Sequence, residues 1–224
     1  MTMNLYTYFI NNTGRQIIKC AHYFPIYERY FSRYVNRPVT FLEIGTGQGG
    51  SAQMWKYYFG PMARIVTIDI RPECKAFEEE QIHVRIGSQS DTQFLQSVLD
   101  EFGAPDVVLD DGSHHHDDIN VSFDYLHPRM ARDGIYLAED LNGGYWPQLG
   151  GGLRSPNNFI NRCKGFVDEM HAAATLYGDE VVAETDITRT TSAIHFHDSV
   201  VVLEKTPYLN HTMMIIPPDD PGRA

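Results

Sequence analysis

Two acidic pairs and a histidine follow two consecutive apolar segments of the chain. The first segment ends in Asp110-Asp111-Gly112-Ser113-His114, and the second ends in Glu139-Asp140. Clustered carboxylates repel one another unless a positive charge lies among them, so this grouping favours a metal site over simple packing. Oxygen ligands suit Mg²⁺ or Mn²⁺ better than zinc, and a neighbouring histidine can accept a proton near neutral pH. The residues therefore indicate metal-assisted chemistry with a base.

The elements that must position these groups alternate between strand and helix. Apolar runs predict strands at residues 39–45, 64–69, 82–86, 105–110, 134–139, 192–197 and 199–205. Helical patterns fall at residues 15–35 with a bend near Pro25, 51–59, 72–80, 91–102, 115–130 and 156–176. This order predicts an α/β fold with a mostly parallel seven-stranded sheet, helices on both faces and a terminal antiparallel hairpin. Ligands of such sheets bind beyond the carboxyl ends of the strands, where both acidic pairs fall.

A glycine-rich turn follows the first predicted strand. Gly45, Gly47 and Gly50 satisfy the pattern GxGxxG, and Asp69 ends the second strand at the place of an acid that holds a ribose hydroxyl. The pattern suits a dinucleotide, and it equally suits an adenosine without a pyrophosphate. A tight turn that binds nothing is the remaining alternative for these glycines.

Composition narrows the class of protein. The chain has 224 residues, 42% of them hydrophobic, which is enough for the core of one domain, and its net charge of −11 disfavours a nucleic-acid partner. The three cysteines form no CxxC pair, which favours a reducing cytoplasm. No stretch approaches the roughly 20 apolar residues that cross a bilayer, so we expect no membrane insertion.

The motifs together resemble a known enzyme family. Glu43-x-Gly45-x-Gly47 with Asp69 is similar to class I S-adenosylmethionine-dependent methyltransferases, which have a Rossmann-like fold. Residues 110–114, Glu139-Asp140-Leu141 and Tyr145-Trp146 resemble the metal-dependent sugar O-methyltransferases of macrolide tailoring, the mycinamicin methyltransferase type, over about residues 39–205. The resemblance implies S-adenosylmethionine, Mg²⁺ or Mn²⁺, and a hydroxyl acceptor, namely a sugar on a natural product, a glycolipid or a polysaccharide.

The resemblance also implies a role for each matched residue. His114 would be the general base, and Asp111, Glu139 and Asp140 would ligate the metal. Residues expected around the cofactor are Glu43, Gly45, Thr46, Gly47, Ser51, Asp69, Ser88, Gln89 and Asp110. Tyr145 and Trp146 would contact the acceptor from a glycine-rich lid at residues 141–156, although the same loop could be a surface connection whose aromatic rings fill a gap.

The segments that flank this domain are predicted from composition and spacing. Residues 1–38 would form a helical cover, residues 39–205 the methyltransferase domain, and residues 206–224 an extended tail. An aromatic cluster in the first segment is expected to pack in the core or to form an interface, and an interface would make a homo-oligomer. The cluster comprises Tyr23, Phe24, Tyr27, Tyr30, Phe31 and Tyr34. The macrolide enzymes carry an additional N-terminal region, whereas only residues 1–38 precede the first predicted strand here. The resemblance therefore does not identify the acceptor.

Other readings of the same residues stay open. A nicotinamide-dependent oxidoreductase could use the glycine turn, a non-catalytic nucleoside-binding module could keep the fold, and a metal hydrolase would leave the glycine turn unexplained. Asp111 could merely cap the following helix, and Ser90 or Asp91 could cap the helix near residue 92. His195 and His197 alternate on one strand, which favours a surface or packing role over metal binding.

Overall fold

A seven-stranded sheet organises the part of the chain described by this computed structural model, which comprises residues 4–176, 178 and 180–206. The strands are β1 Val39–Ile44, β2 Ala63–Asp69, β3 Ile82–Ile86, β4 Val107–Asp110, β5 Ile135–Ala138, β6 Thr191–His197 and β7 Val200–Lys205. Their order in the sheet is β3-β2-β1-β4-β5-β7-β6. Strands β1 to β5 pair in parallel, whereas β7 runs antiparallel to both β5 and β6. The predicted α/β sheet with its terminal hairpin is confirmed.

Helices cover both faces of this sheet. The α-helices within the described residues are α1 Leu5–Ile10, α2 Phe24–Phe31, α3 Gly50–Phe59, α4 Thr92–Phe102, α5 His116–Leu126, α6 Phe159–Met170, α7 Ala172–Thr175 and α8 Asp186–Thr190. Successive strand residues point to opposite faces, so Phe41 packs in a cluster with α1, α2 and α3 while Leu42 packs in a second cluster with α4, α5 and α6. None of the described helices is long and apolar enough to span a bilayer.

The N-terminal segment differs from the prediction of one long bent helix. Residues 16–20 have no regular structure, and the segment continues as a 3₁₀ turn Ala21–Tyr23, helix α2 and a second 3₁₀ turn Ser32–Tyr34. Pro25 lies in the first turn of α2, where its missing N–H has no intrahelical partner to lose, so it starts the helix rather than bending it. The predicted helix 72–80 is a 3₁₀ stretch, Pro72–Phe77.

Two short helices, α1 and α8, have no counterpart in the prediction. Of the predicted tail, residues 207–224 lie outside the described residues.

Aromatic side chains fasten α2 to the sheet. Tyr27 stacks on Phe31 with ring centroids 5.8 Å apart, and Phe31 meets Phe41 of β1 and Trp55 of α3 edge-on. All four of these side chains are fully buried, which confirms core packing for this part of the aromatic cluster. The N-terminal segment therefore shares the main hydrophobic core.

The two alternating histidines, for which a surface or packing role is predicted, both make contacts with neighbouring elements. His195 lies 2.7 Å from Glu204 Oε1 on the neighbouring strand, and His197 lies 3.0 Å from the Tyr30 hydroxyl of α2. Both imidazoles thus join β6 to neighbouring elements, His195 to β7 and His197 to α2.

Candidate functional site

A cavity of about 480 Å³ opens at the carboxyl ends of the parallel strands. Its walls come from the turns after β1 and β3, the end of β2 and the loop after β4. Strand order reverses between β1 and β4, because the chain runs outward from β1 to β3 and then returns to build β4 and β5 on the other side. Such a reversal point is where open α/β sheets bind ligands.

Most of the predicted cofactor residues line this cavity. They are Gly45, Thr46, Gly47, Ser51, Asp69, Ser88 and Gln89. The predicted base His114 and the predicted metal ligands Asp111 and Asp140 line the same cavity. Glu43, Asp110 and Glu139 are placed behind the wall, and Tyr145 and Trp146 lie outside the cavity.

The glycine turn is held in shape by Asp69. Asp69 Oδ2 accepts hydrogen bonds from the backbone N–H groups of Thr46 and Gly47, each at 3.1 Å, and Oδ1 accepts one from the backbone of Arg71 at 2.9 Å. Burial works to raise the pKa of Asp69, but the hydrogen bonds from Arg71 and Gly47 outweigh it and lower that pKa. Asp69 is therefore a carboxylate at the cavity wall, and it also accepts from the Arg71 guanidinium, at 3.2 Å to Oδ1 and 3.3 Å to Oδ2.

Gly45 allows the turn to lie directly against the loop after β4. Its φ is +98°, and a Cβ atom there would lie 2.0 Å from the carbonyl oxygen of Asp111. Any side chain at this position would push the glycine turn away from the acidic loop. The close approach joins the two halves of the cavity.

Glu43 lies beneath the glycine turn. Its side chain is fully buried, with Oε2 accepting from the Ser51 hydroxyl at 2.8 Å and Oε1 from the Trp55 indole at 3.1 Å. Burial raises the pKa of Glu43, while the ammonium of Lys19 acts in the opposite direction. The structure gives Glu43 contacts that anchor helix α3 to β1.

Asp110 and Gln89 connect the turn after β3 to the loop after β4. Asp110 is 2% exposed and accepts hydrogen bonds from Ser122 at 2.7 Å, Tyr136 at 2.8 Å and Gln89 at 3.2 Å. Gln89 Oε1 in turn accepts from the backbone N–H of Ser113 at 2.8 Å. Both polar ends of Gln89 are thus engaged by protein groups, and Ser88 remains the more accessible of the two predicted adenine contacts.

Three of the predicted site residues converge on one point. His114 Nε2 lies 3.9 Å from Asp111 Oδ1 and 3.8 Å from Asp140 Oδ2, and ligand atoms of all three residues fall within 4.8 Å of one another. His114 and Asp140 both have φ near +55°, in the left-handed region that residues other than glycine rarely adopt. Such conformations persist where the surrounding structure enforces them, and they cluster at functional sites.

Lys19 is a site residue that the sequence did not reveal. Its ammonium lies 2.5 Å from Asp111 Oδ2, 2.8 Å from Glu139 Oε1 and 3.5 Å from Glu43 Oε1, and its side chain is 1% exposed. Burial alone lowers the pKa of Lys19, but the charges of the three carboxylates outweigh it and raise that pKa well above the ordinary value. Lys19 is therefore a permanent cation among the acids.

Two tyrosines from the same segment also reach the acids. The Tyr23 hydroxyl donates to Asp140 Oδ1 at 2.6 Å, and the Tyr27 hydroxyl donates to Glu139 Oε2. Both oxygens of Glu139 are consequently bonded to protein donors, one to Lys19 and one to Tyr27. The spacing of four between Tyr23 and Tyr27 predicts that the two side chains share one helix face. The local sequence does not predict which carboxylates they contact.

The two capping alternatives have different outcomes. Of Ser90 and Asp91, Asp91 is the N-cap of α4 and accepts from the backbone N–H groups of Gln93 and Phe94. Asp111 does not cap α5, which begins at His116 and has His115 at its N-cap position.

The predicted acceptor residues remain apart from the cavity. Tyr145 and Trp146 follow Asp140 in the loop after β5, and each is 47% exposed.

Comparison with known proteins identifies relatives of this chain, although no family model matches it. The 8-demethyl-8-(2-methoxy-alpha-L-rhamnosyl)-tetracenomycin-C 3'-O-methyltransferase of Streptomyces olivaceus is 34% identical over 195 residues, covering 82% of this chain and 49% of the relative. The mycinamicin VI 2''-O-methyltransferase of Micromonospora griseorubida is 38% identical over 138 residues, covering 58% and 34%.

A solved structure agrees with these relatives. It is the MycE methyltransferase from the mycinamycin biosynthetic pathway in complex with Mg, SAH and mycinamycin VI. It superposes with a TM-score of 0.83 at 27% identity, covering 98% of this chain and 57% of that one. The chain spans about half the length of the relatives that it matches. Its fold is that of the class I S-adenosylmethionine-dependent methyltransferases, and the relatives that it resembles in sequence are sugar O-methyltransferases.

Proposed function

We propose that this protein moves the methyl group of S-adenosylmethionine to a sugar hydroxyl of a small glycosylated acceptor, with the help of a divalent metal ion. One observation carries the proposal: a single cavity is lined both by the glycine turn with Asp69 and by Asp111, His114 and Asp140. The residues suited to a nucleoside and the residues suited to a cation thus share one cavity. The names of the relatives support the same pairing of donor and acceptor.

The cofactor would occupy the glycine-turn side of the cavity. Gly45, Thr46, Gly47 and Ser51 line that side, and the Asp69 carboxylate would bind the ribose. Ser88 and Gln89 would lie beside the adenine, while Glu43 and Asp110 would support the two turns from behind. In this proposal residues 39–205 are the catalytic domain and the preceding segment covers it.

The acids fit a magnesium or manganese ion. Mg²⁺ is commonly bound through one or two carboxylates and keeps several water ligands. Asp111 Oδ1 and Asp140 Oδ2 both face the same point, and both oxygens lie at the side chain of His114. In this proposal Asp111 and Asp140 would ligate the ion. Glu139 would lie directly behind them, because its oxygens bond Lys19 and Tyr27. When bound, the ion would hold the acceptor hydroxyl and make it more acidic.

His114 would act as the general base. Its imidazole forms part of the cavity wall and is 35% exposed, so a substrate hydroxyl can reach Nε2. The hydroxyl proton would pass to His114, the oxygen would form a bond to the methyl carbon, and the carbon–sulfur bond would break to leave S-adenosylhomocysteine. Holding both reactants in line would supply much of the acceleration.

Exposed aromatic rings, net charge and cysteine content support the proposed acceptor, partners and location. The exposed rings of Tyr145 and Trp146 follow Asp140 and are available to pack on a sugar face. The net charge of −11 favours a small molecule over a nucleic acid. The three cysteines, all within the described residues, are free, which supports a reducing cytoplasm, and the protein could act as a homo-oligomer.

A transfer assay tests the proposed function. The protein is incubated with S-adenosylmethionine, Mg²⁺ and a panel of rhamnosylated or otherwise glycosylated polyketides, and products are measured by mass spectrometry. We expect a methylated acceptor and S-adenosylhomocysteine in equal amounts, with both lost in EDTA. Binding of NADH, together with an absence of S-adenosylhomocysteine binding, would overturn the proposal in favour of an oxidoreductase.

A further inference from the structure

The N-terminal segment supplies the polar contacts behind the acidic cluster. Gln16, Ile17, Ile18 and Lys19 line the cavity, and the chain then turns into the helical residues that carry Tyr23. Lys19 and Tyr23 each bind one acid of the cavity wall. The segment is therefore in contact with both the cofactor side and the metal side of the site.

These contacts divide the carboxylate oxygens into two sets. Lys19 bonds the inner oxygen of Asp111, Oδ2, and Tyr23 bonds the inner oxygen of Asp140, Oδ1. The other two oxygens, Asp111 Oδ1 and Asp140 Oδ2, face the His114 side chain at 3.9 and 3.8 Å. Within the described chain these two outer oxygens accept no hydrogen bond from a protein donor.

The Tyr23 hydroxyl is fixed by its surroundings. The residue is 1% exposed, and its ring packs edge-on against Tyr27 at 6.2 Å and His22 at 4.5 Å. Asp140, by contrast, has a side chain 37% exposed to solvent and a left-handed backbone. A buried donor thus determines the orientation of a carboxylate that would otherwise be free to rotate.

We infer that Tyr23 and Lys19 are positioning residues of the divalent metal site. By binding the inner oxygens they turn Asp111 Oδ1 and Asp140 Oδ2 toward one point, so that the ion meets two pre-oriented ligands. Partners of this kind, which bind ligands rather than the ion, typically change metal affinity by about 10- to 100-fold when removed. The inference rests on the proposed function, because it requires that the site bind a divalent ion.

Manganese titration of Tyr23→Phe tests the inference. Free Mn²⁺ is measured by electron paramagnetic resonance in the full chain, with and without S-adenosylhomocysteine. Tyr23→Phe keeps the buried ring and removes only the hydroxyl, so we expect a folded protein that binds Mn²⁺ about 10-fold more weakly or worse. Thermal melting of each variant is recorded beside the titration.

Tyr58→Phe is the matched control. The Tyr58 hydroxyl also donates to a carboxylate, Glu28 Oε2 at 2.9 Å, and Tyr58 is 4% exposed. Neither residue lines the cavity, so this variant loses an equivalent hydrogen bond away from the acids and should bind Mn²⁺ as the unmodified protein does.

The outcomes separate the inference from the proposed function. If Tyr23→Phe binds Mn²⁺ as tightly as the unmodified protein, or if Tyr58→Phe weakens binding equally, the positioning role is wrong. If the unmodified protein itself binds no Mn²⁺, the proposed metal-dependent function fails, and the inference fails with it.

Discussion

Replacing Lys19 by methionine should destabilise the metal-free protein strongly. The substitution keeps an unbranched side chain of similar length but removes the ammonium that lies between Asp111, Glu139 and Glu43. The side chains of Lys19, Glu43 and Glu139 are at most 1% exposed, so the carboxylates left behind cannot recover their hydration. Removing one partner of a buried ion pair costs about 3–5 kcal/mol.

The size of the effect can be converted into a melting temperature. In a chain of this length, 1 kcal/mol corresponds to about 2–4 °C, so Lys19→Met should melt about 6–20 °C below the unmodified protein. Differential scanning calorimetry in EDTA measures this difference, and chemical unfolding in urea gives the free energy independently. The EDTA ensures that no bound divalent ion compensates for the lost charge.

Lys56→Met provides the matched control. Lys56 also pairs with a carboxylate, Glu79 at 3.0 Å, but its side chain is 32% exposed. An ion pair that water can reach contributes about 0–1 kcal/mol, so this variant should melt within about 4 °C of the unmodified protein. If the melting temperature of Lys19→Met also lies within about 4 °C of the unmodified protein, the buried ion pairs of Lys19 do not stabilise the protein as argued, and the reasoning is refuted.

Three further predictions concern the cofactor, the base and pH. Asp69→Asn should weaken S-adenosylhomocysteine binding about 10- to 150-fold, because hydrogen bonds to a charged group are worth about 1.5–3 kcal/mol; unchanged affinity in calorimetry would remove Asp69 from the ribose. His114→Ala should bind the cofactor nearly normally yet lose most methyl transfer, and transfer at the full rate would show that His114 is not the base. Burial lowers the pKa of His127 to about 3 from an ordinary value of 6.5, so the unfolded chain takes up a proton in this interval while the folded chain does not. Stability should fall as pH drops from about 6.5 toward 3, by up to about 1.4 kcal/mol per pH unit from this group, and His127→Phe should lessen that slope in unfolding measurements between pH 7 and 4.

The sheet and one side of the site were predictable from local pattern. Apolar runs and glycine punctuation identify strands one by one, and parallel topology brings their carboxyl ends to one edge, so Asp69 and Asp111 could be placed together. Successive side chains of a strand point to opposite faces of the sheet, which explains why Asp110 and Asp111 have different partners. Asp110 bonds Tyr136 on one face, whereas Asp111 bonds Lys19 on the other.

The contacts of the N-terminal segment could not be predicted in the same way. Lys19 is 92 residues from Asp111 and 120 from Glu139 along the chain, and no local periodicity encodes such a pairing. The sequence predicts a helix over residues 15–35, yet residues 16–20 have no regular structure and residues 16–19 line the cavity. Tertiary contacts such as those of Lys19 can override the intrinsic propensity of a short segment.

Titration calorimetry with S-adenosylhomocysteine tests the central claim most directly. The purified protein, in buffer with Mg²⁺, is titrated first with S-adenosylhomocysteine and then, in a separate run, with NAD. We predict binding of one S-adenosylhomocysteine per chain in the cavity beside Asp69 and no binding of NAD. Binding of NAD with no heat from S-adenosylhomocysteine would contradict the account.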